Sequence, residues 1–109
     1  MRIWDISTRK LCRNHLLGEH RELHAIWSIL THGKKGYSRH PETLRWTGKL
    51  KALYSRHEEE LLEMKRRDYK HNSPLNARLA LGKSRQTKFV NSLGEQAKIL
   101  RNKKCNCDV

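Results

Sequence analysis

The sequence predicts an all-α fold: a small, compact single domain over residues 1–109, with two long helices at about 8–31 and 41–67 and short helices toward the C-terminus. Three observations predict it. Apolar residues recur at intervals of three and four, segments of alternating polar and apolar residues are lacking, and only 36% of the residues are hydrophobic against 32% charged. That balance suits helices that each bury one narrow apolar stripe.

The first long helix follows Ser7 or Thr8, either of which is a suitable N-cap. Gly33 is placed to end it. Glu22 lies on a face next to the apolar stripe, and Gly18 interrupts the helix interior. The stripe itself comprises Leu16, Leu23, Trp27 and Leu30.

The second long helix begins at His40-Pro41-Glu42, with proline in the first turn and an acid close behind. We interpret His57 as a packing residue on its apolar face rather than a ligand. We expect residues 58–60, three glutamates, to form a solvated face. Further on, residues 75–81 suit one or two helical turns and residues 94–101 a short helix. The apolar face comprises Trp46, Leu50, Leu53, His57, Leu61 and Met64.

The net charge of +13 comes from basic residues spread from Arg2 to Lys104. Such a field attracts polyanions, so nucleic acid is the expected partner. A membrane surface suits the sequence less well, since no apolar run approaches the roughly 20 residues needed to cross a bilayer. The opening residues lack the apolar core of a signal peptide, and we therefore expect a cytoplasmic monomer.

The loop after the first helix carries two glycines and three basic residues, Lys34, Lys35 and Arg39. A flexible basic loop can grip phosphates, but it can equally be a solvated turn. The sequence leaves both interpretations open.

Cysteine occurs three times, at Cys12, Cys105 and Cys107. The odd number argues against a disulfide framework. The two tail cysteines could ligate a metal together with Cys12 and a histidine, although structural zinc more often uses Cys-x2-4-Cys pairs. We favour free thiols, and expect no metal and no cofactor.

The N-terminal end combines a free amine at Met1, Arg2, and Glu22 within a segment rich in His and Arg. A carboxylate, an amine and an arginine from one end of the chain can form a compact site for chemistry on a nucleic acid. An α-amino group has a reference pKa of about 7.7–8.0, so a useful fraction is nucleophilic at physiological pH.

The run from His15 to Leu23, His-Leu-Leu-Gly-Glu-His-Arg-Glu-Leu, resembles the first-helix signature of the pyrimidine-dimer DNA glycosylases of the phage T4 endonuclease V type. Arg2-Ile3 resembles the opening of that family, and Pro41 to Tyr54 its second helix. The likeness covers roughly residues 1–72.

This resemblance implies an all-helical enzyme that acts on double-stranded damaged DNA, flips a base, cuts the N-glycosidic bond and nicks the abasic strand. It implies that the amine of Met1 attacks the sugar and forms a Schiff base, and that Glu22 is the catalytic carboxylate. It places Arg2, His15 and Arg21 at the DNA.

Two departures from the family keep alternatives open. Ala25 stands where the family has a further arginine, and the aromatic, basic C-terminal segment is missing. A non-catalytic DNA-binding protein on the same scaffold is therefore the second hypothesis. A basic module that binds RNA or the ribosome is the third, supported by charge alone.

Overall fold

The computed structural model describes residues 2–36, 38–71, 73–103 and 105–109, and it confirms the all-α class. Over these residues we label four α-helices: α1 (Arg13–His32), α2 (Pro41–Leu44), α3 (Leu50–Arg66) and α4 (Leu93–Arg101). Two short 3-10 helices lie at Thr8–Lys10 and Ala77–Leu79. Extended pairing in the described residues is confined to one isolated bridge between Lys49 and Gly82.

The first long helix begins later than the sequence predicts. The chain forms the 3-10 turn at Thr8–Lys10, and Leu11 and Cys12 are then extended, so α1 starts at Arg13. Tertiary contacts account for this, because Leu11 is buried and its carbonyl accepts a hydrogen bond from Arg67 of 2.6 Å. The end agrees with the prediction: Gly33 takes the left-handed conformation, with φ of 63°.

The predicted second helix, at about 41–67, is divided into α2 and α3 in the structure. Gly48 has φ of 73° between them, a conformation that glycine adopts without steric cost. The start of α3 lacks a side-chain cap. Its first amides instead donate to a later segment, Lys51 to the Leu81 carbonyl at 3.0 Å and Ala52 to that of Lys83 at 3.1 Å.

The interior contains two apolar clusters, and both include residues of α1 and α3. One joins Ile3 to the C-terminal half of α1 and the start of α3, and the other joins Trp4 and Ile6 to the first half of α1, the end of α3 and α4. The first cluster comprises Ile3, Leu23, Ile26, Trp27, Trp46, Ala52 and Leu53. The second comprises Trp4, Ile6, Leu11, Leu16, Met64 and Leu100. The apolar residues of the predicted stripes lie in these clusters or, as with the partly buried Leu30, Leu50 and Leu61, pack against them. His57 is buried but belongs to neither cluster.

A helix long and apolar enough to cross a membrane is not found among the described residues.

Candidate functional site

Residues 2–7, which precede the first 3-10 helix and which we call the lead segment, are held to the body of the protein by buried hydrogen bonds. The Trp4 amide donates to Glu19 on α1 at 2.7 Å, and the Ile3 amide donates to Glu42 on α2 at 3.2 Å. The Arg45 guanidinium donates to the Ile3 carbonyl at 3.0 Å. These hydrogen bonds attach Ile3 and Trp4 to α1 and to the region of α2.

Side-chain contacts connect Arg2 to α1 through Trp4. The Arg2 guanidinium lies 4.8 Å from the centre of the Trp4 ring, an attractive cation–π arrangement. The edge of that ring system meets His15, with ring centres 5.8 Å apart and planes at 88°. Two of the predicted site residues, Arg2 and His15, are thus brought together around one tryptophan.

Glu22 and Arg21 lie on α1, where Glu22 is half-buried and Arg21 exposed. Glu22 is one helical turn from Glu19 and two turns from His15, so all three border the same side of α1. Gly18 lies one turn before Glu22, and a Cβ there would meet no atom within 4 Å apart from its chain neighbours and its own helix backbone, so no other segment packs against α1 at that position. The predicted nucleophile, the amine of Met1, lies outside the described residues.

The basic loop is exposed at Lys34, Lys35 and Arg39. Lys35 and Arg39 line one surface depression together with Ser38 and His40. The structure thus brings two of the three loop cations together, at the end of α1 that is opposite the 3-10 turn.

Behind the lead segment lies a buried charge cluster formed by Glu19, Arg56 and Glu60. Arg56 donates to both carboxylate oxygens of Glu19, at 2.9 and 3.0 Å, and to the Ile6 carbonyl at 2.9 Å. Burial raises the pKa of Glu19 well above its usual value and that of Glu60 to about 7. Glu60 is fully buried, so the expectation of a solvated face at residues 58–60 is wrong at that position.

Four histidines converge next to this charge cluster, and we call them the His cluster: His20, His24, His57 and His71. One nitrogen from each ring lies within 4.8 Å of the other three. Burial lowers the pKa of all four, that of His24 to about 4. They are therefore neutral imidazoles at physiological pH.

The His cluster was not predicted from the sequence. A signal was available, because His20 and His24 are four residues apart on one helix, a spacing that puts two imidazoles on the same face. His57 and His71 come from α3 and from the connector after it, and their approach to α1 depends on tertiary packing.

The three cysteines are free, and the structure brings them to His15; we call this group the thiol cluster. The His15 Nδ1 atom is 3.1 Å from the Cys12 sulfur and 3.3 Å from that of Cys107. With Cys105, the ligand atoms of all four lie within 4.8 Å of one another. The start of α1 and the tail thus meet at one soft, polarisable site.

Comparison with known proteins gives one family. The family model described as pyrimidine dimer DNA glycosylase matches residues 1–77. No curated protein and no solved structure matches the chain significantly.

Proposed function

We propose, since the chain belongs to the pyrimidine dimer DNA glycosylase family, that it excises damaged pyrimidines from duplex DNA and then cleaves the abasic strand through a Schiff base on its N-terminal amine. The matched region contains α1, the lead segment and the basic loop. The lesion, the lyase step and the residue roles are parts of this proposal.

The observation that carries the proposal is the attachment of the lead segment to the side of α1 that bears Glu22. Trp4 is held to Glu19 by its amide and to His15 by its ring. Arg2 lies on that ring and is next to Met1 in the chain. Because only Arg2 and Ile3 separate Met1 from Trp4, the short connection favours an encounter between the Met1 amine and the Glu22 carboxylate.

In the proposed reaction, the amine nitrogen of Met1 attacks C1′ of the deoxyribose, and the damaged base leaves with the bonding electrons. Glu22 stabilises the positive charge that develops on the sugar and takes the proton released by the amine. Opening of the sugar ring gives the imine, from which β-elimination breaks the strand. Arg2 and Arg21 would hold the neighbouring phosphates.

The test is borohydride trapping with the untagged, full-length chain and a duplex that contains either a cyclobutane pyrimidine dimer or an abasic site. We expect a covalent protein–DNA adduct, which peptide mass spectrometry would map to Met1. Acetylation of the amine should abolish it. Glu22→Gln should reduce dimer cleavage by ~100-fold or more, as loss of a catalytic proton-transfer group does.

Glu59→Gln is the matched control, because the Glu59 side chain is 60% exposed on α3. An adduct that survives acetylation, or its absence with a free amine, would contradict the proposed nucleophile. Salt-sensitive duplex binding without any cleavage would instead support the non-catalytic DNA-binding hypothesis, which the alanine at position 25 motivates.

A further inference from the structure

We propose that the His cluster is a binding site for a divalent late transition metal ion, with Zn²⁺ as the reference ion, held by the Nε2 atoms of His20, His24, His57 and His71. Neither the family match nor the proposed glycosylase chemistry includes such a site.

The Nε2 atoms make a chain of close contacts: His71 to His20 at 2.8 Å, His20 to His24 at 3.0 Å, and His24 to His57 at 3.2 Å. Tetrahedral zinc with Zn–N bonds of about 2.0–2.1 Å separates its nitrogens by about 3.3 Å. These three separations are close to the value that the ion requires, and the ligand atoms of the whole set lie within 4.8 Å of one another.

Hydrogen bonds on the outer sides of two rings determine their tautomers. His20 Nδ1 lies 2.8 Å from Glu60 Oε1, and His57 Nδ1 lies 3.0 Å from Glu58 Oε1. An ionised carboxylate accepts a proton from Nδ1, so when Glu60 and Glu58 are ionised the Nε2 atom of each of these neutral rings presents a lone pair to the centre.

Neutral rings alone cannot satisfy this arrangement. A ring Nε2 either donates or accepts, and His24 has one such atom facing two lone pairs, those of His20 and His57. One N–H can point fully at only one acceptor, so at least one of the two close contacts of His24 lacks a well-directed hydrogen bond. A cation at the centre converts all four lone pairs into bonds.

The surroundings match those of metal-binding histidines. An imidazole ligand typically donates its other N–H to a carboxylate or carbonyl, as His20 and His57 do. His20 and His57 are buried, and the ring set joins α1, α3 and the connector that carries His71. Imidazole suits zinc, copper, iron and nickel rather than magnesium or calcium.

The experiment titrates the chelator-treated, full-length chain with Zn²⁺ and Co²⁺ in a Cys105→Ser/Cys107→Ser background, which removes two thiols of the other cluster. Calorimetry should show one equivalent of tightly bound metal, and bound Co²⁺ should have a visible spectrum without thiolate charge-transfer bands. His24→Gln/His71→Gln should eliminate that equivalent. His32→Gln, which alters an exposed histidine at the end of α1, should retain it.

Folding of each variant is checked by circular dichroism. A milder variant, Glu58→Gln, keeps all four ligands and should weaken Zn²⁺ binding ~10- to 100-fold by removing the partner of His57. The matched variant Glu59→Gln should leave it unchanged. Binding that is absent in the double-serine background, or insensitive to both His24→Gln/His71→Gln and Glu58→Gln, overturns the proposal and leaves a hydrogen-bonded histidine cluster.

The thiol cluster independently supports a second metal site. Here we infer a structural Zn²⁺ site formed by Cys12, His15, Cys105 and Cys107, because three sulfurs and one imidazole are a usual zinc ligand set. The Cys12 amide donates to the Cys107 sulfur at 3.1 Å, which holds the tail against the residue that precedes α1. This site would fasten the tail to the start of α1.

Under reducing conditions, Co²⁺ added to the otherwise unaltered chain should give thiolate charge-transfer absorption. Cys107→Ser should abolish this absorption, and Asn106→Ser, at the residue between the two tail cysteines, should preserve it. Loss of one equivalent in Cys107→Ser and of the other in His24→Gln/His71→Gln is the expected pattern. Mass spectrometry that finds a Cys12–Cys107 disulfide, with no thiolate-bound Co²⁺ after reduction, would overturn the thiol site.

Discussion

At the scale of single residues, Arg56 supplies the positive charge next to the buried carboxylates of Glu19 and Glu60. It is the buried cation that faces Glu19 and Glu60, and it also donates to the Ile6 carbonyl. Burial favours the neutral forms of these two acids, whereas Arg56 favours their ionised forms. Together with Arg45, which donates to the Ile3 carbonyl, this guanidinium holds the lead segment in position.

Replacing that guanidinium with a neutral side chain tests its role. We expect Arg56→Met to lower the free energy of unfolding by about 3–5 kcal/mol, because it leaves Glu19 buried without its partner. Urea unfolding at pH 7 measures the change. Arg85→Met, at an exposed site, is the control, and an equal loss in both variants would contradict a specific role for the buried pair.

At the scale of helices, the C-terminal end of α3 is fastened to the chain before α1 by Glu63 and Arg67. Arg67 donates to Glu63 at 2.6 Å and to the carbonyls of Thr8 and Leu11. Hydrogen bonds from Arg66, and then from Arg67, lower the pKa of Glu63 to about 2. This carboxylate therefore stabilises the folded state in its ionised form.

The sign of the pH dependence follows from that lowered pKa. Glu63 has a folded pKa below its ordinary value of 4.5, so its contribution is present above pH 4.5 and is lost as the pH falls toward 2. We expect Glu63→Gln to cost about 1–3 kcal/mol at pH 7, allowing for solvent around Arg66, and progressively less below pH 4.5. Urea unfolding at pH 7 and pH 3 measures this, with Glu59→Gln as control; a pH-independent difference would contradict it.

The junction between α2 and α3 depends on a close approach of two glycines. Gly82 has φ of 90°, and a Cβ there would lie 2.2 Å from the Gly48 carbonyl oxygen. The Lys83 amide donates to that same oxygen at 2.9 Å, so the backbones cannot separate without losing the bond. The Leu81 and Lys83 carbonyls, which accept hydrogen bonds from the first amides of α3, are thus positioned by a contact between Gly48 and Gly82 that has no room for a side chain.

We expect Gly82→Ala to destabilise the fold by at least about 1 kcal/mol, because it adds both steric overlap and an unfavourable φ. Gly94→Ala is the matched control: it lies in α4, where a Cβ would meet nothing within 4 Å, and should stabilise the protein by up to about 1 kcal/mol. Thermal unfolding compares the two variants. Equal stability changes would show that the close approach is not a constraint.

At the scale of the whole molecule, the sequence predicts what helical periodicity determines and fails where distant segments meet. The stripe containing Leu16, Leu23 and Trp27 correctly predicts the buried face of α1. The break at Gly48 was missed, because Trp46, Leu50 and Leu53 keep helical spacing across it. Local pattern does not distinguish one helix from two that share a core.

The same difference between local pattern and long-range contact decides how much of each candidate site the sequence predicts. The motif around Glu22 is local in sequence, so the family could be inferred from it. The approach of Cys12 to Cys107 and of His20 to His71 joins positions far apart in the chain, where spacing is uninformative. Histidines that appeared to be packing residues, such as His57, gain a candidate chemical role only from their neighbours.

Because the net charge is +13, the salt dependence of the duplex binding constant tests how the whole molecule binds DNA. We expect the logarithm of the duplex binding constant to fall linearly with the logarithm of salt concentration, since each neutralised phosphate releases counterions. If the basic loop grips phosphates, changing Lys34, Lys35 and Arg39 to Gln should make that slope shallower by up to about 2.7. Fluorescence anisotropy with an undamaged duplex measures it.

The control changes the charge equally at the other end of the α1–α3 pair, with Arg9, Lys65 and Lys70, all exposed, changed to Gln. Long-range attraction depends on total charge, so both triple variants should slow association to a similar degree. Direct phosphate contacts depend on position, so only the loop variant should change the slope strongly. Equal slopes in the two variants would show that the basic loop does not contact phosphates and that DNA binds to another surface of the protein.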